Sequence, residues 1–395
     1  MGAKRKTGVT KNPPILSHEF IIQNHADIVS CIAMVIVVGL MFQASTPFAT
    51  LFVTMQHNLT VNSTPEENKE PVEATFYTYG TKDFFSVFFY FLITIVIHAV
   101  IQEYMLDKIN RKLHLSKSKH SKFNESGQLL VFYLISICWG LDTMIKEGFT
   151  ENLSFMWEGY PHANLSYTLK FYFIIQIAYW LHTFPEIYFQ KVKKDEMSYR
   201  LRYQILYTVV IIAGFLLNLT RLTLVCLIIH YSVEMIFHFA RLMYFSDKPD
   251  CSAPSFIVWA VLFIIARLVT VTLIILTVGF RLGKATNQEM NTEMGNFNIL
   301  PIRISVLTGV CLLEAWMLWN FLTFQLRRYR ENQAFTAKKK IVPKMKDKKA
   351  KKEAKTVAVE QPPQQQQDDE NSANEASPKA ANGGVRTRSK QQKKK

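Results

Sequence analysis

The sequence predicts an all-α protein: a polytopic membrane helix bundle of about eight transmembrane helices, followed by a disordered basic tail. From about Ile28 to Leu326 the chain consists mostly of long apolar runs, and 49% of all residues are hydrophobic. Runs of about eighteen or more apolar residues match the hydrocarbon core of a bilayer. After this region the chain is polar, and residues 327–395 hold twenty Lys and Arg against eight Asp and Glu.

The first apolar run, Ile28–Phe48, is too long for the core of a cleaved signal peptide, and we interpret it as an uncleaved signal-anchor. Two of the other predicted spans, Leu129–Ile145 and Tyr203–Leu219, are short. The remaining predicted spans are Phe84–Tyr104, Leu169–Phe189, Leu222–Tyr244, Phe256–Phe280 and Ile302–Phe324.

These spans divide the chain into four expected regions. We expect a cytosolic N-terminus at 1–27, two transmembrane helices with a glycosylated lumenal loop at 28–116, a transmembrane domain at 117–326 and the disordered tail at 327–395. Too few apolar residues lie in the tail to form a core.

The charge of the loops predicts the orientation. Lys and Arg number six in Asp107–Phe123 and five in Gln190–Arg202, whereas the intervening loops carry about one or two each. Basic loops stay on the cytosolic side, so an even number of spans places both termini in the cytosol.

Glycosylation sequons fall on both predicted sides of the membrane. Asn58 and Asn62 lie in the first predicted lumenal loop, and the second contains Asn152 and Asn164. The sequons at Asn124 and Asn218 are expected to stay unmodified, because one is predicted to be cytosolic and the other lies in a tight hairpin at the bilayer.

Several ionisable residues lie inside the apolar spans, where they need partners or water. In LIIHYSVEMIFHFARLMYF, spacings of four, four and three place the charged and His side chains on one helical face. Together with two deep residues of later spans, they form a predicted intramembrane polar seam: His230, Glu234, His238, Arg241, Arg267 and Glu314. We expect Glu234 to bond His230 or His238, with Arg267 or Arg241 balancing charge.

The pattern H-x3-E-x3-H also permits a metal site, since His side chains at i and i+4 can bind zinc. The Glu is not adjacent to the first His, however, and no Cys or His cluster supplies further ligands, so we favour the seam. The sequence has no G-x-S-x-G elbow, Walker loop or nucleotide-binding G-x-G-x-x-G after a strand. No metal, cofactor or catalytic residue is predicted.

Long stretches of the chain resemble the translocating chain-associated membrane proteins (TRAM) of the endoplasmic reticulum. The resemblance spans about residues 10–335 and is carried by SHEFIIQNHADIVSC (Ser17–Cys31), IHAVIQEYMLDKIN (Ile97–Asn110), HLSKSKHSKFNESGQL (His114–Leu129), AYWLHTFPEIYFQK (Ala178–Lys191), GNFNIL (Gly295–Leu300) and FQLRRYRE (Phe324–Glu331). It implies an endoplasmic reticulum membrane accessory of the Sec translocation channel that contacts signal sequences and nascent membrane segments and aids their translocation or insertion. It also implies a glycan in the first lumenal loop, at Asn58 rather than Asn62.

Residues of about Lys117–Arg328 are similar to the TLC homology domain, which the TRAM family shares with ceramide synthases. WEGYP (Trp157–Pro161) is similar to a synthase stretch. Where the synthases have a His-His pair at the start of one helix, this chain has Tyr203 and Gln204. On the later helix His230 matches the synthase His, Tyr231 replaces its adjacent Asp, and Glu234 falls at the second Asp.

The loss of the His pair removes the expected proton acceptor for acyl transfer, so we expect no enzyme activity. Two alternatives remain open, a TLC-type lipid-binding protein and a sphingolipid N-acyltransferase. The predicted partners are the Sec channel, nascent polypeptides with their signal sequences, membrane lipids and, through the basic tail, the ribosome. We expect the intramembrane polar groups to line a shared groove beside which polar parts of a nascent chain can pass.

Overall fold

The computed structural model describes residue 14 and residues 17–63, 72–148, 150–192 and 194–350. The helices in this part of the chain are α1 (His18–Val38), α2 (Thr46–Val53), α3 (Asp83–Val100), α4 (Asp107–Leu113), α5 (Lys117–Lys146), α6 (Tyr167–Phe189), α7 (Lys194–Leu216), α8 (Thr220–Phe245), α9 (Pro249–Ile274) and α10 (Leu300–Ala350). Two small antiparallel hairpins are made by β1 (Asn58–Ser63) with β2 (Val72–Tyr77) and by β3 (Met290–Asn291) with β4 (Asn296–Phe297).

The predicted all-α membrane architecture is confirmed, and the number of spans is approximate. Helices lie at all eight predicted positions, and within the described residues six are long and apolar enough to cross a membrane. Those six are His18–Met41, Asp83–Leu113, Lys119–Lys146, Thr220–Phe245, Pro249–Lys284 and Leu300–Ala334. The other two predicted spans are α6 and α7, of 23 residues each, which carry more polar side chains.

Several helices begin earlier than the apolar runs predict. α1 starts at His18 because the Ser17 side chain accepts the backbone N–H of Phe20 at 3.2 Å. α5 starts at Lys117, twelve residues before the predicted span, because Phe123 is buried against Leu106, Leu242 and Phe245. Tertiary packing of a mostly polar segment is not visible in a hydropathy profile.

The predicted disordered tail, 327–395, is only partly covered by the described residues. α10 extends past the predicted end of its span and reaches Ala350. The chain divides into two units, Met1–Asn332 and Gln333–Lys395. Residues 351–395 and 1–13, on which the predictions for the tail and most of the N-terminus rest, lie outside the described residues.

The main core lies where α5, α6 and α8 meet, and α8 packs between α5 and α9. Its centre is aromatic: Tyr172 and Tyr231 are completely buried, and the rings of Phe132 and Tyr179 stack with centroids 3.3 Å apart. The core therefore fixes α8, the helix that carries most of the predicted polar seam.

The connecting segments collect at two ends of the bundle. At one, called here the hairpin end, Tyr77 and Leu165 exchange backbone hydrogen bonds of 2.8 Å, and Asn218 Nδ2 donates to the Gly295 carbonyl at 2.8 Å. At the other, called here the basic end, Lys119 pairs with Asp247 at 3.1 Å. Helices α5, α8 and α9 therefore run from one end to the other.

Candidate functional site

The α8 face that carries His230, Glu234, His238 and Arg241 is packed against neighbouring helices. Arg267 of α9 places one terminal nitrogen 2.7 Å from His230 Nδ1. Arginine can only donate, so Nδ1 accepts and the other ring nitrogen of neutral His230 donates to the Tyr207 hydroxyl at 2.5 Å. His230 is thus a bridge between α7 and α9.

Arg267 and Glu314 form a buried ion pair between α9 and α10. One guanidinium nitrogen of Arg267 donates to both carboxylate oxygens of Glu314, at 3.1 and 3.0 Å, and the two side chains are 3% and 7% exposed. A charge in a bilayer is stable when it is paired in this way. The structure therefore brings three seam residues, His230, Arg267 and Glu314, into one continuous network.

The remaining seam residues lie towards the basic end and are less well paired. Arg241 is 3.9 Å from Glu125 of α5, which also pairs with Arg200 of α7 at 2.8 Å. His238 is buried beside the ring of Tyr133, with centroids 5.8 Å apart. Its Nδ1, like Nε of Arg241, is buried and has no hydrogen-bond partner among the described residues.

Glu234 differs from the expectation that it would bond a neighbouring His. Within the described residues its carboxylate makes no hydrogen bond or ion pair, because Arg267 is hydrogen-bonded to His230 and Arg241 is turned towards Glu125. It lies in electrostatic range of the Tyr199 and Tyr203 hydroxyl groups. The seam therefore has two parts. The side chains are paired around Arg267, and pairing is incomplete in the open part around Glu234.

The positions that differ from the synthase pattern have structural partners. The buried Tyr231 hydroxyl accepts from Trp180 at 3.0 Å and donates to Gln176 at 2.9 Å, and Gln176 in turn donates to Ser136 at 2.9 Å. Where the resemblance places the His pair, Gln204 donates to the Thr183 carbonyl at 3.1 Å. Tyr203 contacts the Trp316 ring of α10, with centroids 5.8 Å apart.

A second intramembrane cluster was not grouped by the sequence. His98 of α3 lies 3.2 Å from Glu186 and 3.2 Å from His182, both on α6. The other ring nitrogen of His182 faces the Tyr179 carbonyl, so His182 Nε2 accepts from His98. The cluster joins α3 to α6.

A buried lysine at the hairpin end was missed altogether. Lys170 Nζ lies 2.7 Å from Asp83 and donates to the carbonyls of Gln56 and Thr78 at 2.8 Å each. Lys170 is completely buried, and Asp83 is 8% exposed. Residues 83 and 170 are too distant in sequence for any local pattern to pair them.

The structure places the sequons in different environments. Asn58 is exposed at the start of β1, whereas the side chain of Asn62 lies outside the described residues. Asn124 and Asn218, expected to stay unmodified, are 9% and 0% exposed. A buried side chain leaves no room for a glycan.

The chemistry available to this site is that of hydrogen bonding and charge pairing. Across the described ranges, no group of three or more His, Cys, Asp or Glu could hold a metal ion. The H-x3-E-x3-H pattern is divided between different partners, with His230 facing Arg267 and His238 facing Tyr133.

Most of the chain is similar in sequence to known proteins. The TLC domain family model matches residues 122–323. The chain is 48% identical to translocating chain-associated membrane protein 2 of Mus musculus over 322 residues, covering 82% of this chain and 85% of that protein. Identity to the Homo sapiens protein of the same name is 46% over 334 residues, covering 85% and 88%. The ceramide synthase FUM18 of Gibberella moniliformis is 24% identical over 194 residues, covering 48% and 45%.

Proposed function

The chain belongs to the translocating chain-associated membrane protein family, and we propose that it is a non-enzymatic accessory of the Sec translocation channel in the endoplasmic reticulum membrane. In this role it contacts signal sequences and nascent membrane segments and aids their translocation or insertion. The observation that carries the proposal is an identity of 46–48% over more than four fifths of the chain to proteins named for association with a translocating chain.

The contacts at the synthase-like positions support a non-enzymatic role. Acyl transfer to an amine needs groups that accept and deliver protons. Tyr231 is committed to a buried hydrogen-bond chain, and His230 is held on both ring nitrogens by Tyr207 and Arg267. No His pair is present at Tyr203 and Gln204 to replace them.

The proposed mechanism is a polar path along the bundle in the plane of the membrane. Glu234 and Tyr203 lie on the side of the seam where pairing is incomplete, between the basic end and the Arg267–Glu314 pair. At this depth in the membrane, polar side chains of the protein can pair with polar residues of a passing segment that would otherwise contact lipid. The two spans predicted to be short belong to longer helices, since α5 has 30 residues and α7 has 23.

The proposed orientation puts the basic end and both termini in the cytosol. Lys108, Arg111, Lys112 and Lys119 lie at that end, which matches the preference of basic loops for the cytosolic side. Exposed Asn58 is then the proposed glycosylation site in the lumen. The basic tail is proposed to contact ribosomal RNA or anionic lipid.

A lipid-binding role is the second candidate. It is favoured by the TLC domain match and by partial similarity to fungal proteins that include a sphingosine N-acyltransferase-like protein of Alternaria alternata, 23% identical over 191 residues. Such binding is compatible with the first role. Lipid that co-purifies with the full chain and is identified by mass spectrometry would support it.

The test of the main proposal is site-specific crosslinking. A photoreactive residue is placed in a secretory signal sequence, and ribosome-bound intermediates are targeted to proteoliposomes that contain the Sec channel with or without this protein. We expect an adduct of the protein's mass and better translocation of a weakly hydrophobic signal. If neither appears for any signal, the accessory role is excluded.

A further inference from the structure

The interface between α7 and α8 changes character along its length. The two helices are antiparallel and joined by the turn at Leu217–Leu219, so successive residues of one face successive residues of the other. Nearest the turn, Tyr207 and His230 are hydrogen-bonded. One turn further towards the basic end no such bond forms, and Glu234 is left without one.

This part of the interface is called here the Glu234 subsite, and its members are Glu234 and the mutually hydrogen-bonded Tyr199 and Tyr203. Glu234 is half-buried, and its oxygens are not among the sealed, unpaired polar atoms of the described residues. The carboxylate therefore borders space outside the packed protein. Tyr199, 48% exposed, lies at its outer edge, and the Tyr199 and Tyr203 rings are 4.6 Å apart.

Arginines close to the subsite are paired with carboxylates other than Glu234. Arg267 is matched by Glu314, and Arg200 and Arg241 are matched by Glu125 together with Glu196, which lies 3.6 Å from Arg200. Glu234 makes no ion pair among the described residues, although Arg267 and Arg241 act on its charge from a greater distance. A carboxylate without an ion pair in surroundings of low dielectric constant attracts a cation more strongly than it would in water.

The chemistry of the subsite suits a cation. Carboxylate and phenol oxygens can accept hydrogen bonds, and an ammonium or guanidinium group only donates them. His238, one turn further along α8, lies instead beside the Tyr133 ring of α5, with centroids 5.8 Å apart. The acceptors that face α7 are thus those of Glu234 and the two tyrosines.

We propose that the Glu234 subsite receives a Lys or Arg side chain of a signal sequence or nascent membrane segment. The inference rests on the proposed function, since it names what part of the client the polar path recognises. Glu234 provides the countercharge, and the Tyr199 and Tyr203 hydroxyl oxygens provide further acceptors. A segment that carries a basic residue at the matching depth is retained beside α7 and α8 longer than a neutral one.

The experiment uses the full chain in proteoliposomes with the Sec channel. Three stalled signal-anchor segments differ only at one mid-span position, which is Lys, Met or Glu, and each carries a photoreactive residue one turn away. Adduct yields are compared for the parent, Glu234→Gln, Glu234→Asp and the control Glu103→Gln, which removes an exposed carboxylate from the segment after α3. Unfolding temperature is measured for every variant.

In the parent and in Glu103→Gln, we expect the Lys segment to give about five times the adduct of the Met segment, which corresponds to roughly 1 kcal/mol. The ratio falls to about one in Glu234→Gln and is partly kept in Glu234→Asp, which preserves the charge. A Lys-to-Met ratio of one in the parent, or one that is unchanged in Glu234→Gln, overturns the inference and leaves the accessory role standing. Absence of every adduct overturns both.

The amine of a lipid headgroup could also pair with Glu234, as a Lys side chain would. A further set of measurements distinguishes lipid binding from client binding. The parent and Glu234→Gln are assayed in vesicles of phosphatidylcholine alone and in vesicles with added phosphatidylethanolamine. The inference requires the same Lys-to-Met ratio in both. A ratio that disappears when the amine lipid is added assigns the subsite to lipid and overturns the proposal.

Discussion

Lys170 at the hairpin end of the bundle and Glu234 in the open half of the polar seam differ in how completely they are paired. At the hairpin end, Lys170 reaches Asp83 and two carbonyls within 2.8 Å. Near the basic end, His238 and Arg241 each keep a buried nitrogen without a partner, and Glu234 makes no bond in the described residues.

The difference indicates which polar groups stabilise the fold and which are available to a ligand. Satisfied buried groups make a unique packing arrangement, because removal of one partner leaves the other desolvated and unpaired. Unsatisfied groups reduce stability, so their presence calls for an explanation outside the fold. Substitutions at the two regions should therefore have opposite consequences for stability and for client contact.

The largest effect is expected for Lys170→Met. Removing the ammonium leaves the buried Asp83 carboxylate without a countercharge, with the Gly80 N–H as its remaining donor, which should lower the free energy of unfolding by about 3–5 kcal/mol. The control Lys146→Met disrupts an exposed pair with Asp142 and should change it by less than about 0.5 kcal/mol. Thermal unfolding in detergent, followed by circular dichroism, measures both; equal losses would remove the distinction between the regions.

Acid is expected to weaken the hairpin end next most strongly. Burial, followed by the nearby Arg221 charge, lowers the pKa of His162 from 6.5 to about 4. The folded state thus disfavours proton uptake, and the stabilisation present above pH 6.5 is lost as the pH falls towards 4. Between pH 7 and pH 5 the loss is about 2 kcal/mol. Thermal unfolding of His162→Gln at both pH values should show a smaller pH dependence than the parent.

Asn218 tests the turn between α7 and α8. Its backbone has φ of +54°, which Asn tolerates, and its buried side chain donates to Gly295. Asn218→Gly should lose about 1–2 kcal/mol through the missing hydrogen bond alone. Asn218→Ala should lose roughly 1 kcal/mol more, because Ala also resists the left-handed conformation. Identical stabilities for the two variants, from denaturant titrations, would contradict this division.

The smallest effect on stability is expected for Glu234→Gln. It removes no hydrogen bond or ion pair present in the described residues, so the free energy of unfolding should change by less than about 0.5 kcal/mol. Differential scanning fluorimetry in detergent provides the measurement. A loss as large as that of Lys170→Met would show that Glu234 is part of the stabilising network, and the contrast between the two regions would disappear.

The fold was largely predictable because apolar runs of membrane length are a strong signal. Sequence placed all eight long helices but not the start of α5, since residues Lys117–Gln128 are mostly polar and are helical through packing against Leu106 and Phe245. It also ended the last span at Phe324, although α10 extends to Ala350.

The sequence predicted which helix face carries the candidate site but not which residues pair there. Helical spacing grouped the α8 residues on one face. Arg267, however, bonds Glu314 and His230 rather than Glu234, and these contacts join helices that are far apart in sequence. The same reason hid the His98–Glu186 and Lys170–Asp83 pairs, in which the sequence separations are 88 and 87 residues. Periodicity describes one helix at a time and contains no information on its neighbour.

The pairing of Lys170 with Asp83 also sets an order of events during synthesis. The ribosome makes α3 before α6, so Asp83 enters the membrane region before its countercharge exists. Until α6 arrives, the carbonyls of Gln56 and Thr78 lack the ammonium that ties them together, and the β1–β2 hairpin is not fastened to the bundle. For the glycosylation proposed at Asn58, the sequon is therefore accessible on a growing chain before the finished fold surrounds it.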